Sequence, residues 1–281
     1  MRHAGKPPGP HDRVLKLPDG RLLGYAEFGD PAGGMLFFFH GCCGSRFSGS
    51  FLDAAAKERG VRVVVLERPG FGLSDFQRGR SIAAWPADVL EAAQHLGCER
   101  FAVLGFGAGG PYALGCAAML GEQLSAVSAV SSVGLPGSAP PGRLRSNVEA
   151  ALTSLLARRA PGLYVRRLAR NASAADRAIL SRSTARAALL KSVRESFRHG
   201  LRGVVDDAAL LARPWGVDFA AFSTSPSLWH GEDDRTIPVS EARTVAGAIP
   251  GCGATFVPGG GHFWLLEHAG EVFDALFPGE Q

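Results

Sequence analysis

Three short segments of this 281-residue chain hold the residue types that acid–base and acyl-transfer chemistry need. His230-Gly231-Glu232-Asp233-Asp234 follows one apolar run, and Gly259-Gly260-Gly261-His262-Phe263 follows another. A carboxylate such as Asp234 can hold an imidazole such as His262 in one tautomer and stabilise its protonated form. The third segment, Leu104-Gly105-Phe106-Gly107-Ala108-Gly109-Gly110, joins a strand-like run to a helical pattern. Its repeated glycines suit a chain that turns sharply where Cβ atoms have no room. Gly107, at the centre of that turn, offers no nucleophilic atom, so no acyl-enzyme or alkyl-enzyme can form on it. What remains is a base, an acid to orient it, and a helix N-terminus whose partial positive charge favours an anion.

Other reactive residues read as support. His40 precedes Gly41 and reads as a buttress of its loop, and His230 as a buttress of the loop that carries the acid. Asp233 adjoins Asp234, but the spacing from Gly231 and to Pro238 selects Asp234. Trp264 lies near His262 in the chain, and with Tyr164 and Phe197 it is a candidate substrate contact; the plainer expectation for such aromatics is core packing. Cys42, Cys43, Cys98, Cys116 and Cys252 show no paired spacing, and an odd count suits reduced thiols in a cytoplasmic setting. No His, Asp or Glu cluster has ligand spacing, so neither a metal nor another cofactor is expected.

These segments need a scaffold to bring them together. Short apolar runs at 35–39, 61–66, 101–104, 124–130, 225–230 and 254–257 alternate with helical patterns, as in a mainly parallel sheet with crossover helices. Runs at 13–17 and 21–28, joined by Pro18-Asp19-Gly20, add an opening hairpin. The expectation is an α/β fold with eight strands and helices on both faces. Helices are expected at 51–59, 81–96 with Ser81 as a cap, 109–120, 240–248 and 267–277. From 134 to 220 the alternation stops and helical patterns run on, with Pro136, Pro140 and Pro141 at the entrance and Pro214 near the exit. We therefore divide the chain into a flexible leader (1–12), a core (13–133 and 221–281) and a helical cap (134–220) over the C-terminal strand edge, where such sheets bind ligands.

Composition narrows the partners. At 46% apolar residues the chain can bury one large core, and no run reaches the roughly 18–20 apolar residues of a membrane span. The polar, three-proline start lacks the apolar stretch of a signal peptide. The net charge is +4, but 139–218 carries fourteen Arg and one Lys against six Asp or Glu, a balance of +9 that leaves −5 elsewhere. A basic cap could attract an anionic substrate or one held on a carrier protein; the plainer reading is a solvated helix face. No aromatic-interleaved basic stripe points to nucleic acid. The oligomeric state is not legible.

The ordered pieces resemble the α/β-hydrolase superfamily, in particular its proline-iminopeptidase and epoxide-hydrolase-like branch. The glycine turn matches the G-x-S-x-G nucleophile elbow, and nucleophile, acid and histidine come in the order of that family. Phe38-Phe39-His40-Gly41-Cys42-Cys43-Gly44-Ser45-Arg46 resembles its HGxPGSR oxyanion loop, with Cys43 in place of the proline. Glu67-Arg68-Pro69-Gly70-Phe71-Gly72-Leu73-Ser74 resembles its DRPGxGxS turn. The resemblance covers about 13–133 and 226–277 and leaves the cap out. It implies Asp234 and His262 as acid and base, the N–H groups of Cys42 and Ala108 as an oxyanion hole, and Gly107 where the family carries Ser or Asp.

The expected function is cofactor-independent acid–base chemistry on a carbonyl-containing small molecule: cyclisation, elimination, lyase cleavage or water-activated hydrolysis, as a tailoring step in secondary metabolism. Hydroxynitrile lyases in this superfamily work without an acyl-enzyme. Two alternatives stand beside it. One is a serine esterase, thioesterase or peptidase seen as a Ser-to-Gly variant, and the other is a ligand-binding protein without turnover. Cys42 as a surrogate nucleophile is a further possibility.

Overall fold

The apolar runs all become strands. In the computed structural model, which describes residues 11–136 and 147–279, these are β1 (Arg13–Lys16), β2 (Leu22–Gly29), β3 (Gly34–Phe39), β4 (Val61–Leu66), β5 (Phe101–Phe106), β6 (Leu124–Val130), β7 (Ser227–Gly231) and β8 (Gly253–Val257). They form one sheet in the order β1-β2-β4-β3-β5-β6-β7-β8, antiparallel at β1–β2 and β2–β4 and parallel elsewhere. The central strands are buried on both faces, which is why they read as continuous apolar runs rather than alternating ones. Arg62, the exception in β4, reaches Glu27 on the neighbouring β2 at 2.7 Å.

Helices α1 (Asp53–Glu58), α2 (Trp85–His95), α3 (Gly110–Met119), α9 (Val239–Ala248) and α10 (Leu265–Leu276) enclose the sheet. One core lies between the sheet and α2, α3 and α9, around Phe37, Trp85, Val103 and Tyr112. The other lies between the opposite face and α1 and α10, around Phe38, Leu104, Trp264 and Phe273. The helix expected from Ser81 begins later, at Trp85; Pro86 supplies the start signal, and the Ser81 hydroxyl accepts only the Ala84 N–H of the preceding turn.

Between β6 and β7, the described residues form five α-helices, α4 (Asn147–Arg159), α5 (Pro161–Asn171), α6 (Ala174–Ser181), α7 (Ser183–Ser196) and α8 (Arg202–Leu211). Buried polar contacts, rather than apolar packing alone, seat this insertion on the sheet. Asp207 of α8 accepts from Nε and Nη2 of the fully buried Arg68 at 3.2 and 2.9 Å, and the Tyr112 hydroxyl donates to it from α3. Arg80 adds a fourth contact to Asp207 at 3.2 Å. On α7, Glu195 accepts from the buried Arg46 at 2.8 Å, and the Ser192 hydroxyl meets Ser45 and Ser48.

The leader at 1–12, Pro140 and Pro141 fall largely outside the described residues. The last two leader positions correct that expectation, because they are held. Asp12 and the His11 carbonyl accept from Arg46, whose buried guanidinium requires several acceptors, and the His11 ring stacks on Phe28 at 4.6 Å.

Candidate functional site

The turn after β5 explains its own glycines. A Cβ on Gly105 would lie 2.4 Å from the Gly109 carbonyl oxygen, and one on Gly109 would lie 2.1 Å from that of Phe39. Backbone therefore packs on backbone, which only glycine permits. Gly107 differs, since its φ is +55° but an added Cβ would meet nothing closer than 3.7 Å. Its nearest neighbours would be the Cα of Gly41 and, at 3.8 Å, Cε1 and Nε2 of His262. The turn therefore aims the Gly107 side-chain position at the imidazole, with room for a side chain.

His262 follows β8 and is largely buried, with Nδ1 2.8 Å from Oδ2 of Asp234. Asp234 follows β7, and its other oxygen accepts the N–H groups of Thr236 and Ile237 at 2.7 and 2.8 Å. Burial opposes ionisation of this carboxyl. The His262 charge, hydrogen bonds from both histidines and the Ile237 N–H outweigh it and hold its pKa well below the usual carboxylate range. His230 lies behind this pair; its Nε2 donates to the Ile237 carbonyl at 2.9 Å and sits 3.4 Å from Asp234.

Two of the sequence motifs prove to be each other's partners. Arg46 from the first contacts Glu67 of the second at 3.0 Å. Arg68, next to Glu67, donates to the carbonyls of His40 and Gly41 at 2.5 and 3.2 Å, fixing the loop that presents Cys42. Burial, with the Arg68 charge beside it, pushes the His40 pKa well down; a neutral ring whose Nδ1–H donates to the Gly41 carbonyl at 2.9 Å fits that setting.

Gly107, Ala108, Cys42 and His262 all line one cavity of about 820 Å³. Its walls are the loops at the C-terminal strand ends and the inner faces of α4, α5, α7 and α8, mostly apolar, with Arg167 and Arg235 among the polar groups. Tyr164 lines it as well. Trp264 and Phe197 do not, and both are corrected as substrate contacts. Trp264 stacks between Trp229 and His268 in the core beneath α10, and Phe197 packs with Cys43, Phe71 and Val193 under the insertion. Cys42 is exposed, whereas Cys43 is buried. Among the described residues no group of three or more His, Cys, Asp or Glu side chains converges as metal ligands would, and no helix is long and apolar enough to cross a membrane.

Three residues here lie beyond the sequence reading. Phe106 packs its ring 5.0 Å from that of His262. Asp176 of α6, fully buried, accepts the backbone N–H groups of His262 at 2.9 Å and Phe263 at 2.7 Å. Ser131, with φ of +47°, donates its hydroxyl to the His262 carbonyl at 3.0 Å. A serine in the left-handed region is an uncommon, strained choice, and such strain gathers at functional sites. Phe106 lies inside the glycine-turn segment, and Ser173-x-x-Asp176 has the spacing of a helix start, but neither feature points at His262.

The fold recurs widely among solved structures. A bromoperoxidase from Bacillus anthracis superposes with a TM-score of 0.75 at 20% identity, over 94% of this chain and 98% of its own. An esterase from Exiguobacterium antarcticum gives 0.73 at 17% identity, over 94% and 97%, and one from a Rhodococcus species gives 0.64 at 21%, over 95% and 100%. At these identities the likeness is one of fold. No curated protein matches the sequence. A profile described as "Alpha/beta hydrolase family" does match it, across residues 36–275, and with the elbow-like turn, the His–Asp pair and the eight-stranded sheet in place, the chain belongs to that family.

Proposed function

We propose that the protein catalyses cofactor-independent acid–base chemistry on a carbonyl-containing small molecule. His262 acts as the base, Asp234 orients it, and the N–H groups of Cys42 and Ala108 receive developing negative charge. One observation carries the reading: the side-chain position of Gly107 points at His262 Nε2 from 3.8 Å away and holds no atom. A substrate carbon or a water can take that space, and the imidazole can withdraw its proton while oxyanion donors hold the enolate or alkoxide. Proton abstraction with carbon–carbon or carbon–oxygen cleavage, ring closure, and water-activated hydrolysis all fit this geometry. Arg167 and Arg235 on the cavity wall favour a substrate bearing an anionic group. A tailoring role in secondary metabolism belongs to the same proposal.

A second reading is favoured by the same glycine. Because a Cβ fits there without a clash, the turn suits a serine, and the chain could be a serine hydrolase one substitution removed. Gly107→Ser assayed with a p-nitrophenyl ester and a fluorophosphonate probe separates the two. Rapid labelling and a large rate gain support the serine-hydrolase descent, and no gain supports a pocket committed to proton transfer. The base role is tested by His262→Ala: loss of turnover on a substrate found by screening is expected, and full activity would end the proposal. Tight binding of a ligand that stays unchanged on long incubation would favour a binding protein instead.

A further inference from the structure

Asp176 is a buried carboxylate on the insertion whose hydrogen bonds go to the backbone of the candidate base. Its two oxygens take the N–H groups of His262 and Phe263. The same His262 peptide unit is gripped from the core, where Ser131 in its strained conformation donates to the carbonyl. Gly261 belongs to this arrangement, since a Cβ there would lie 2.3 Å from Asp176 Oδ1. The last glycine of Gly-Gly-Gly-His is therefore the gap through which the insertion reaches the histidine. Ser173 caps α6 by accepting the Asp176 N–H at 3.1 Å, which leaves the Asp176 carboxylate to turn outward to the loop.

We propose that Asp176 is a positioning residue for His262, so that the histidine reaches working geometry only when the helical insertion is docked. The inference rests on His262 acting as the base, but it is tested on the ring itself. Asp176 also places a carboxylate against the backbone of the same residue, its Oδ2 2.9 Å from the His262 nitrogen. A negative charge at such range favours the protonated ring. Among the described residues, the charged and titratable groups that bond to His262 or share its cavity are Asp234 with His230 behind it, Asp176 from α6, and Cys42, Cys43, Tyr164, Arg167, Arg235 and Glu241 of the lining. Two carboxylates thus act on one imidazole, one through its Nδ1 and one through its backbone.

The experiment is an NMR titration of the His262 ring, assigned with His262→Gln, in wild type, Asp176→Asn and Ser173→Ala. Asp176→Asn keeps the shape and removes the charge, whereas Ser173→Ala loosens α6 without touching the carboxylate. The titration midpoint is expected to fall in Asp176→Asn and to stay in place in Ser173→Ala, even where both lower the melting temperature. In the Gly107→Ser background, the fluorophosphonate labelling rate is expected to drop on the order of 10- to 100-fold on adding Asp176→Asn, as for a misplaced catalytic group. An unchanged midpoint in Asp176→Asn overturns the proposal. If Gly107→Ser does not label at all, the nucleophile reading fails and the titration alone decides. If Asp176→Asn does not fold, hydrogen exchange of the wild-type protein takes its place. Matching exchange rates for 261–263 and α6 support the linkage, and a loop that opens far faster than α6 refutes it.

Discussion

Asp234 is deeply buried, accepts from His262 at 2.8 Å and takes two backbone N–H groups on its other oxygen. A carboxyl held below its unfolded pKa stabilises the fold fully above the ordinary carboxylate range, and that contribution is lost as the pH falls toward the folded value. With an unfolded value near about 4, the loss begins below roughly pH 5. Asp234→Asn is therefore expected to be less stable than wild type at pH 7 and closer to it at pH 3, read as urea midpoints at both pH values. An equal gap at both would mean that the carboxylate's charge contributes nothing. Gly107 sets a second expectation at this scale. Its φ of +55° costs a side chain about 1–2 kcal/mol, so Gly107→Ser should lose roughly that much stability whatever it gains in reactivity.

The elements show where sequence reasoning reaches and where it stops. All eight strands were legible: β3, β4 and β5, buried on both faces, leave apolar runs that only Arg62 interrupts, with a partner in Glu27, and the exposed β1 was marked by the Pro18-Asp19-Gly20 turn that joins it to β2. Gly107, Asp234 and His262 were legible as well, since the turn and the two loops have local signatures. The inner face of the insertion was not. Tyr164 and Phe197 look alike in sequence, yet one lines the cavity and the other, at the end of α7, is sealed against Cys43 and Phe71, a distinction made by long-range packing. Asp176 was hidden because an acid three residues after a serine is explained by capping alone. Two expectations follow for these elements. Gly261→Ala forces a methyl against the Asp176 carboxylate and should cost about 1–3 kcal/mol in chemical denaturation, with Gly259→Ala as an open-space comparison whose φ of +70° adds its own strain. Asp207→Ala takes the carboxylate from the fully buried Arg68, while Arg80 keeps Asp206 at 2.7 Å, and should cost about 3–5 kcal/mol; a loss below 1 kcal/mol would show that water replaces the carboxylate there.

At the scale of the whole molecule, charge is divided between two bodies of opposite sign, and the cavity lies where they meet. Residues 150–172 hold five arginines and no Asp or Glu, and Arg167 from that stretch reaches the cavity wall. A carboxylate-bearing ligand should therefore bind more tightly than its neutral methyl ester. The gap should narrow between about 10 mM and 300 mM salt as screening shortens from about 30 Å to under 10 Å. Arg167→Gln should close most of it, and Arg166→Gln, a neighbour outside the lining, should not. Equal affinities for the acid and its ester at low salt would count against an anionic substrate.

The buried acids that seat the insertion also limit what can be exchanged. Grafting a foreign insertion between β6 and β7 is a natural route to new specificity, since the segment's two ends attach to neighbouring parallel strands. Such a chimera would arrive without Asp176, Glu195 and Asp207. Arg68 would lose Asp207 and Arg80 both Asp206 and Asp207, Arg46 would keep Glu67, Asp12 and the His11 carbonyl, and the His262 loop would lose an anchor. A productive transplant must carry those three acids at matching positions, or the recipient must have its arginines replaced in the same step.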